Sequence, residues 1–366
     1  MTDVVKVAEE LASAVDGVDW DGSEVHRCRV RLHEAAKSAS VAELTRASEV
    51  LVARLARSRV DDADGVAYAA IGAGSLVENG APPRLLAEVL LAKMPAVLQA
   101  ARRYADICLA DLASDGDSDP KDGIVDIDGR SIDLDLFRAH LKKDRGGASA
   151  LSTLEIWTLP TVAALTRDRA LLMRAVSDGE LRRAARALAT SKAQWLDVLL
   201  GVVLDATWLI VCPMEKRAFH MRVDGLVSNF DLHALVSDVL IEQGIRGERN
   251  PPDVIAFIRG DAPTRSTDSV SGSFQFYTYE AGQYDWSQQA HPAWHWVWGE
   301  GRPETVPFFR EMRTLIVGPQ TMSRSWTMPR TFAALKCDVS LVRELSPNEV
   351  HATLDALRSS GEAPPR

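Results

Sequence analysis

Three polar side chains in RAFHMRVDG are spaced for chemistry. His220, Arg222 and Asp224 alternate with Phe219, Met221 and Val223. Successive side chains of a β-strand point to opposite faces, so the three polar ones share a face. An imidazole there can act as a general base. The carboxylate of Asp224 would orient it, and the guanidinium between them would keep that carboxylate ionised. His233 falls in the helical pattern that follows, and Glu300 lies farther on. Either is a candidate second acid–base group. The competing reading is a half-solvated strand with a surface salt bridge, because antiparallel strands alternate this way routinely.

The second concentration is HPAWHWVWGEG, residues 291–301. If the segment is extended, Trp294, Trp296 and Trp298 share one face, and His295 and Val297 the other. A row of indoles can be a platform for sugars, bases or cations, or it can fill a core or domain interface. Glu300 and Arg302 follow in the Gly/Pro-rich GEGRPETVPFF, and GPQTMSRSWTMPR brings Arg324, Trp326 and Arg330. Loops of this kind often carry function on a rigid scaffold. The expected binding set is Trp294, Trp296, Trp298, Arg302, Arg324, Trp326 and Arg330, with the two loops as walls of one pocket.

Other chemistries lack their residues. Ile71-Gly72-Ala73-Gly74-Ser75 is glycine-rich but sits inside a helical pattern, where small residues serve close packing. No GxxxxGK[ST] occurs. The Asp-rich loop SDGDSDPKDG fails the register of a calcium loop: with Gly123 at position six, Pro120 falls at three and Gly129 at twelve. The histidines form no HExxH, the cysteines no CxxC, and no local cluster supplies three zinc ligands. No metal and no cofactor is therefore expected. GxSxG is absent, as is any family signature around Cys28, Cys108, Cys212 or Cys337. Arg182, Arg183, Arg186 and Lys192 could meet phosphate, nucleic acid or an acidic partner. Alternatively they form a solvated helix face paired with Asp178 and Glu180.

The elements that must position these residues divide at about Asp205. The chain has 366 residues, 46% hydrophobic and 25% charged, enough for two domains with sizeable cores. Residues 1–205 read as an all-helical array, possible HEAT-like helical hairpins without a fixed-period motif. Asn79-Gly80 ends one helix, Pro82-Pro83 opens the next, and Pro95 should kink or split it. A β-hairpin insertion lies near 115–136, where apolar and acidic residues alternate around Asp128-Gly129. Residues 206–358 read as a mixed or antiparallel α+β domain. TWLIVCP and RAFHMRVDG form a strand pair, RTLIVGP is a buried strand, and DVSLVREL is the last strand. DVIAFIRGD, SGSFQFYTYE and HWVWGEG supply extended or mixed elements. Capping boxes are expected at Ser228/Asp231 and at Ser346/Glu349. Residues 359–366 read as a disordered tail.

The phrases HMRVDGLVSNFDLHALVSDVLI, WVWGEGRPETVPFF and RTLIVGPQTMSRSW resemble a group of bacterial proteins from high-GC genomes. The resemblance spans roughly 205–345. It implies that the phrases belong to one module. That group carries no assigned activity, so the resemblance implies no catalytic residues.

Net charge is −9, which repels phosphate backbones and argues against a nucleic-acid partner without a basic patch. No run approaches 18 apolar residues, and the first residues lack a basic start and long apolar stretch. A cytoplasmic protein with reduced thiols is expected. The leading expectation is a non-catalytic binding or scaffold protein, accessory to a biosynthetic pathway. Its Trp-lined site would lie between the helical and α+β domains and take a protein, a peptide or a small molecule. The alternative is an acid–base enzyme, a hydrolase or tailoring enzyme, using His220 and Asp224 with Glu300 or His233. A weaker alternative is a phosphate or nucleic-acid binder using the Arg182–Lys192 helix.

Overall fold

The structure is a computed structural model. It describes residues 3–15, 22–58, 63–112, 125–127, 130–189, 192–263, 269–286, 293–320, 322, 324–327 and 330–360. The Asp-rich loop, the Asp128-Gly129 turn, His291 and residues 361–366 lie outside the described residues. The fold is α+β, in two compact units, Met1–Leu200 and Gly201–Arg366.

The first unit is helical. Its elements are α1 (Val4–Ala14), α2 (Gly22–Ala36), α3 (Val41–Arg57), α4 (Ala63–Glu78), α5 (Arg84–Leu112), β1 (Val125–Ile127), β2 (Arg130–Ile132), α6 (Leu134–Ala139), α7 (Arg145–Ser152), α8 (Leu154–Leu165), α9 (Arg169–Ser177), α10 (Gly179–Arg186) and α11 (Gln194–Leu200). Apolar spacing explains the burial: Leu44, Ala47, Leu51 and Leu55 line one face of α3, which a Ser40/Glu43 capping box starts. The glycines of α4 serve packing. A Cβ on Gly72 would stand 2.8 Å from Leu11, and one on Gly74 2.7 Å from Pro160.

Two expectations change here. Pro95 does not split α5, which continues through it. Leu90, Met94, Val97, Leu98 and Ala101 are all buried, and their packing outweighs the missing hydrogen bond. The hairpin stops at Ile132, which pairs with Val125. Asp133 then accepts from the Leu136 N–H at 2.7 Å and caps α6. The alternation beyond Ile132 thus runs into a helix.

The second unit contains β3 (Ala206–Cys212), β4 (Arg217–Asp224), α12 (Asn229–Glu242), α13 (Pro252–Arg259), β5 (Val270–Ser271), β6 (Phe274–Thr278), β7 (Phe308–Phe309), β8 (Met312–Pro319), β9 (Ser325–Trp326), β10 (Asp338–Glu344) and α14 (Pro347–Ser360). The main sheet has the order β10-β4-β3-β8-β6, and β7 also pairs with β8. β3 and β8 run parallel; the other neighbours are antiparallel. The sheet is mixed, one of the two forms, mixed or antiparallel, expected from the sequence.

Both faces are covered. Trp208, Ile210, Phe219, Met221, Phe276 and Val317 form one core with Leu232, Leu235 and Val239 of α12. Leu209, Val211, Ala218, Tyr277 and Ile316 form the other with Val350 and Leu357 of α14. Burial on both sides is why TWLIVC and TLIVG read as unbroken apolar runs rather than alternating ones. DVIAFIRG is helix α13, not an extended segment: Pro252 opens it, and Gly260 at φ +84° closes it. Ser346 and Glu349 complete the expected box on α14. That helix runs to Ser360, so residues 359–360 are helical rather than tail.

Candidate functional site

His220, Arg222 and Asp224 share the face of β4 that looks toward α14, as alternation requires. They do not assemble into a relay. Arg222 pairs with Asp205 at 2.6 Å, and both side chains are exposed. The Asp224 carboxylate accepts the Asp205 N–H at 2.8 Å. Burial pushes the His220 imidazole below its ordinary pKa, and Arg343 pushes it the same way while Glu349 opposes. His233 belongs to α12 and packs on Phe276 and Trp326, on the opposite side of the sheet. Glu300 is exposed and acts on Arg324. The four candidate acid–base residues therefore do not converge.

The tryptophan segment is not a strand. Ala293–His295 form a 3-10 turn. Only Trp296 and Val297 run alongside β6: Trp296 bridges Tyr277, and the Val297 N–H donates to the Phe276 carbonyl at 2.9 Å. Turns bound this short run, because the Ala293 carbonyl accepts from Trp296 N–H and the Trp298 carbonyl from Gly301 N–H. The three indoles consequently share no single face. Trp294 is 77% exposed and Trp298 48% exposed. Trp296 is half-buried against the α14-side core, with its ring centroid 4.9 Å from that of Trp298. His295, expected on the far side of the segment, is buried. Its Nε2 accepts from Trp294 Nε1 at 3.0 Å, and its Nδ1 lies 3.4 Å from the Glu280 carboxylate.

The backbone of this segment is held from α12. The Ser228 hydroxyl caps the helix at Phe230 N–H. Asn229 donates from Nδ2 to the Trp298 carbonyl at 2.8 Å, and its N–H donates to the Gly301 carbonyl at 3.1 Å. His233 hydrogen-bonds the Val297 backbone, and its Nε2 has no hydrogen-bond partner. Burial and the nearby Arg324 charge push His233 down to about 3, so it is neutral at neutral pH. Asp231 does not reciprocate in a capping box. Burial raises its carboxyl to about 7, against the pull of Arg330.

Arg324 meets the same edge. Its Nη2 donates to the Phe274 carbonyl at 2.9 Å. Arg324 and Val297 together occupy two carbonyls of edge strand β6, those of Phe274 and Phe276, which protects that stretch of the edge from further pairing. Burial lowers the Arg324 pKa, with Tyr277 and Glu300 opposing. No carboxylate among the described residues stands within ion-pair distance of it. Trp326 is half-buried against Phe230, with centroids 5.6 Å apart. Arg330 is a structural tie, donating to the Ala333 and Leu335 carbonyls. Arg302 lies 3.7 Å from Glu304.

In the first unit, Arg186 pairs with the buried Asp197 at 3.3 Å. Lys192 donates to the Ser152 carbonyl, and burial lowers its pKa. Among the described residues no group of three or more His, Cys, Asp or Glu side chains could hold a metal ion.

A crevice of about 780 Å³ lies beyond the carboxyl ends of β3 and β8. Its walls include Met214, Arg246, Phe274, Val317, Gln320 and Arg324. Of the residues singled out in the sequence, Arg324 alone reaches it. Asn229, Phe274 and Arg246 escaped sequence reasoning. Asn229 stands beside the legible cap Ser228, but its long-range partner leaves no local signal. Comparison of the chain with family models, curated proteins and solved structures gives no match.

Proposed function

We propose that the second unit is a non-catalytic binding module, and that the protein works as a binding or scaffold protein docking a protein partner on Trp294 and Trp298. The observation that carries this reading is the exposure of two indoles on a backbone that is already fixed. Trp294 is tied to buried His295, and Trp298 is tied to Asn229. Covering an indole removes on the order of 150–250 Å² of surface from water, worth several kcal/mol at about 25 cal/mol per Å². A pinned backbone loses little further freedom on binding, so more of that gain survives as affinity. Tryptophan is enriched among the residues that dominate protein interfaces. The dispersal of His220, Asp224, Glu300 and His233 supports binding over acid–base catalysis. No described helix is long and apolar enough to cross a membrane.

The test is retention of partner proteins from an extract of the source cells, compared between the protein and the variants Trp294→Ala and Trp298→Ala. The expected result is one partner lost from both variants, with circular dichroism and melting temperature unchanged. Identical retention by the protein and both folded variants would sink the reading.

A further inference from the structure

The crevice at the end of the sheet offers a site separate from the exposed indoles. β3 and β8 are the parallel pair of the sheet, and their carboxyl ends open toward it. Met214 and Glu215 stand in the turn that joins β3 to β4, and Arg324 follows β8 in sequence. The start of β6 closes the third side with Phe274. At about 780 Å³ the space falls within the range of small-molecule sites.

We propose that this crevice binds a small organic monocarboxylate, held by Arg324 at its head and by the apolar wall of Phe274, Val317 and Met214 along its body. The guanidinium is half-buried on the crevice wall and spends Nη2 on the Phe274 carbonyl. Its Nε is buried and has no hydrogen-bond partner. A buried donor left unmade costs free energy, and a partly desolvated cation without a carboxylate costs more. A carboxylate in the crevice offsets the second cost by pairing with the outer edge of the guanidinium; the enclosed Nε stays out of its reach. His233, the other cationic candidate near Arg324, is neutral at neutral pH and does not compete for the anion.

The charge of the walls selects a single negative charge. Arg246 and Arg324 are offset by Glu215 and Glu248, all four lining the same space. A phosphate dianion or dicarboxylate would place its second charge among those acids, which a monocarboxylate avoids. Met214, Phe274 and Val317 are the apolar part of a mostly polar lining, and an acyl or aryl body covers them where a compact inorganic anion does not.

The experiment is calorimetric titration of the full chain with phenylacetate and hexanoate, with their amides, and with inorganic phosphate. The carboxylates are expected to bind, and the amides and phosphate at least about tenfold more weakly. Arg324→Gln should lower carboxylate affinity about tenfold or more. Arg324 also caps β6, so that variant alone could report a folding defect. Ser325→Trp adds an indole at an exposed lining position on β9 and keeps the Arg324 side chain, and it should abolish binding in a folded protein. No carboxylate binding, equal binding of acids and amides, tighter binding of phosphate, or undiminished binding by Ser325→Trp would each overturn the proposal. Trp294→Ala should leave carboxylate binding unchanged, which separates this site from the docking surface.

Discussion

Asn229 donates from its side-chain amide to the Trp298 carbonyl at 2.8 Å, while its own N–H donates to the Gly301 carbonyl at 3.1 Å. One residue at the start of α12 thereby closes the turn that presents Trp298. The contact is tight: a Cβ on Gly301 would stand 2.6 Å from the Asn229 amide nitrogen. Asn229→Ala removes the side-chain bond and leaves the Trp298 carbonyl short of one of its donors. The expected loss is about 1–2 kcal/mol of stability. Urea unfolding measures it. Partner retention should weaken as in Trp298→Ala, because the indole loses its fixed position.

His233 and Asp231 bias stability with pH in opposite directions. His233 has a folded value of about 3 against an ordinary 6.5. Between those values the unfolded chain takes up a proton that the folded one refuses, so stability falls toward acid. Asp231 has a folded value of about 7 against an ordinary 3.8. In that window the folded chain keeps a proton that the unfolded one loses, so stability falls as pH rises. From about pH 4 to 6.5 the two slopes offset. His233→Gln should therefore uncover a loss of stability with rising pH, ending near 7. Asp231→Asn should uncover the reverse, a gain with rising pH that ends near 6.5. Unfolding free energies measured from pH 4 to 8 and differenced against the parent protein read each slope. Parallel curves for the parent and both variants would refute the assignment.

Much of this unit is legible in its sequence because its signals are local or periodic. TWLIVC and TLIVG read as buried strands since both sheet faces are covered. Ser346 and Glu349 announce α14 because a capping box is complete within four residues. The tryptophan segment misleads, because its conformation is decided by partners distant in sequence. Trp298 is held by Asn229, 69 residues away, and Phe274 meets Arg324 across 50 residues. Alternation alone predicts a strand there; the turns at Ala293–Trp296 and Trp298–Gly301 break it. Residues 252–259 show the opposite case. Pro252 and Gly260 carry readable helix boundaries, but the β-branched Val254, Ile255 and Ile258 favour extension by residue type, which their burial on the α12 side overrides.

The geometry of β4 makes a sharp expectation for the residues the sequence marks as acid–base candidates. His220 neighbours Arg343 and Glu349, and Asp224 is committed to the Asp205 N–H. His220→Ala and Asp224→Asn should each change stability by no more than about 1 kcal/mol. Both should leave partner retention and carboxylate binding intact. Loss of either binding activity in a folded His220→Ala protein would restore a functional role to this face.

Gly225 tests how β10 is seated beside β4. It follows Asp224 at φ +71°, and a Cβ there would lie 2.0 Å from the Lys336 carbonyl oxygen and 2.9 Å from the Cys337 Cα. Those residues lead directly into β10, whose Asp338 is in register with Asp224. Gly225→Ala thus adds left-handed backbone strain to a collision with backbone that cannot swing aside. Together these should cost about 2–4 kcal/mol. Gly244 provides the control. Its φ is +84°, but no atom lies within 4 Å of the added Cβ. Gly244→Ala should cost about 1–2 kcal/mol, from strain alone. Thermal unfolding of the two variants side by side separates the terms. Equal losses would mean that the approach of Gly225 to Lys336 contributes nothing to holding β10 in place.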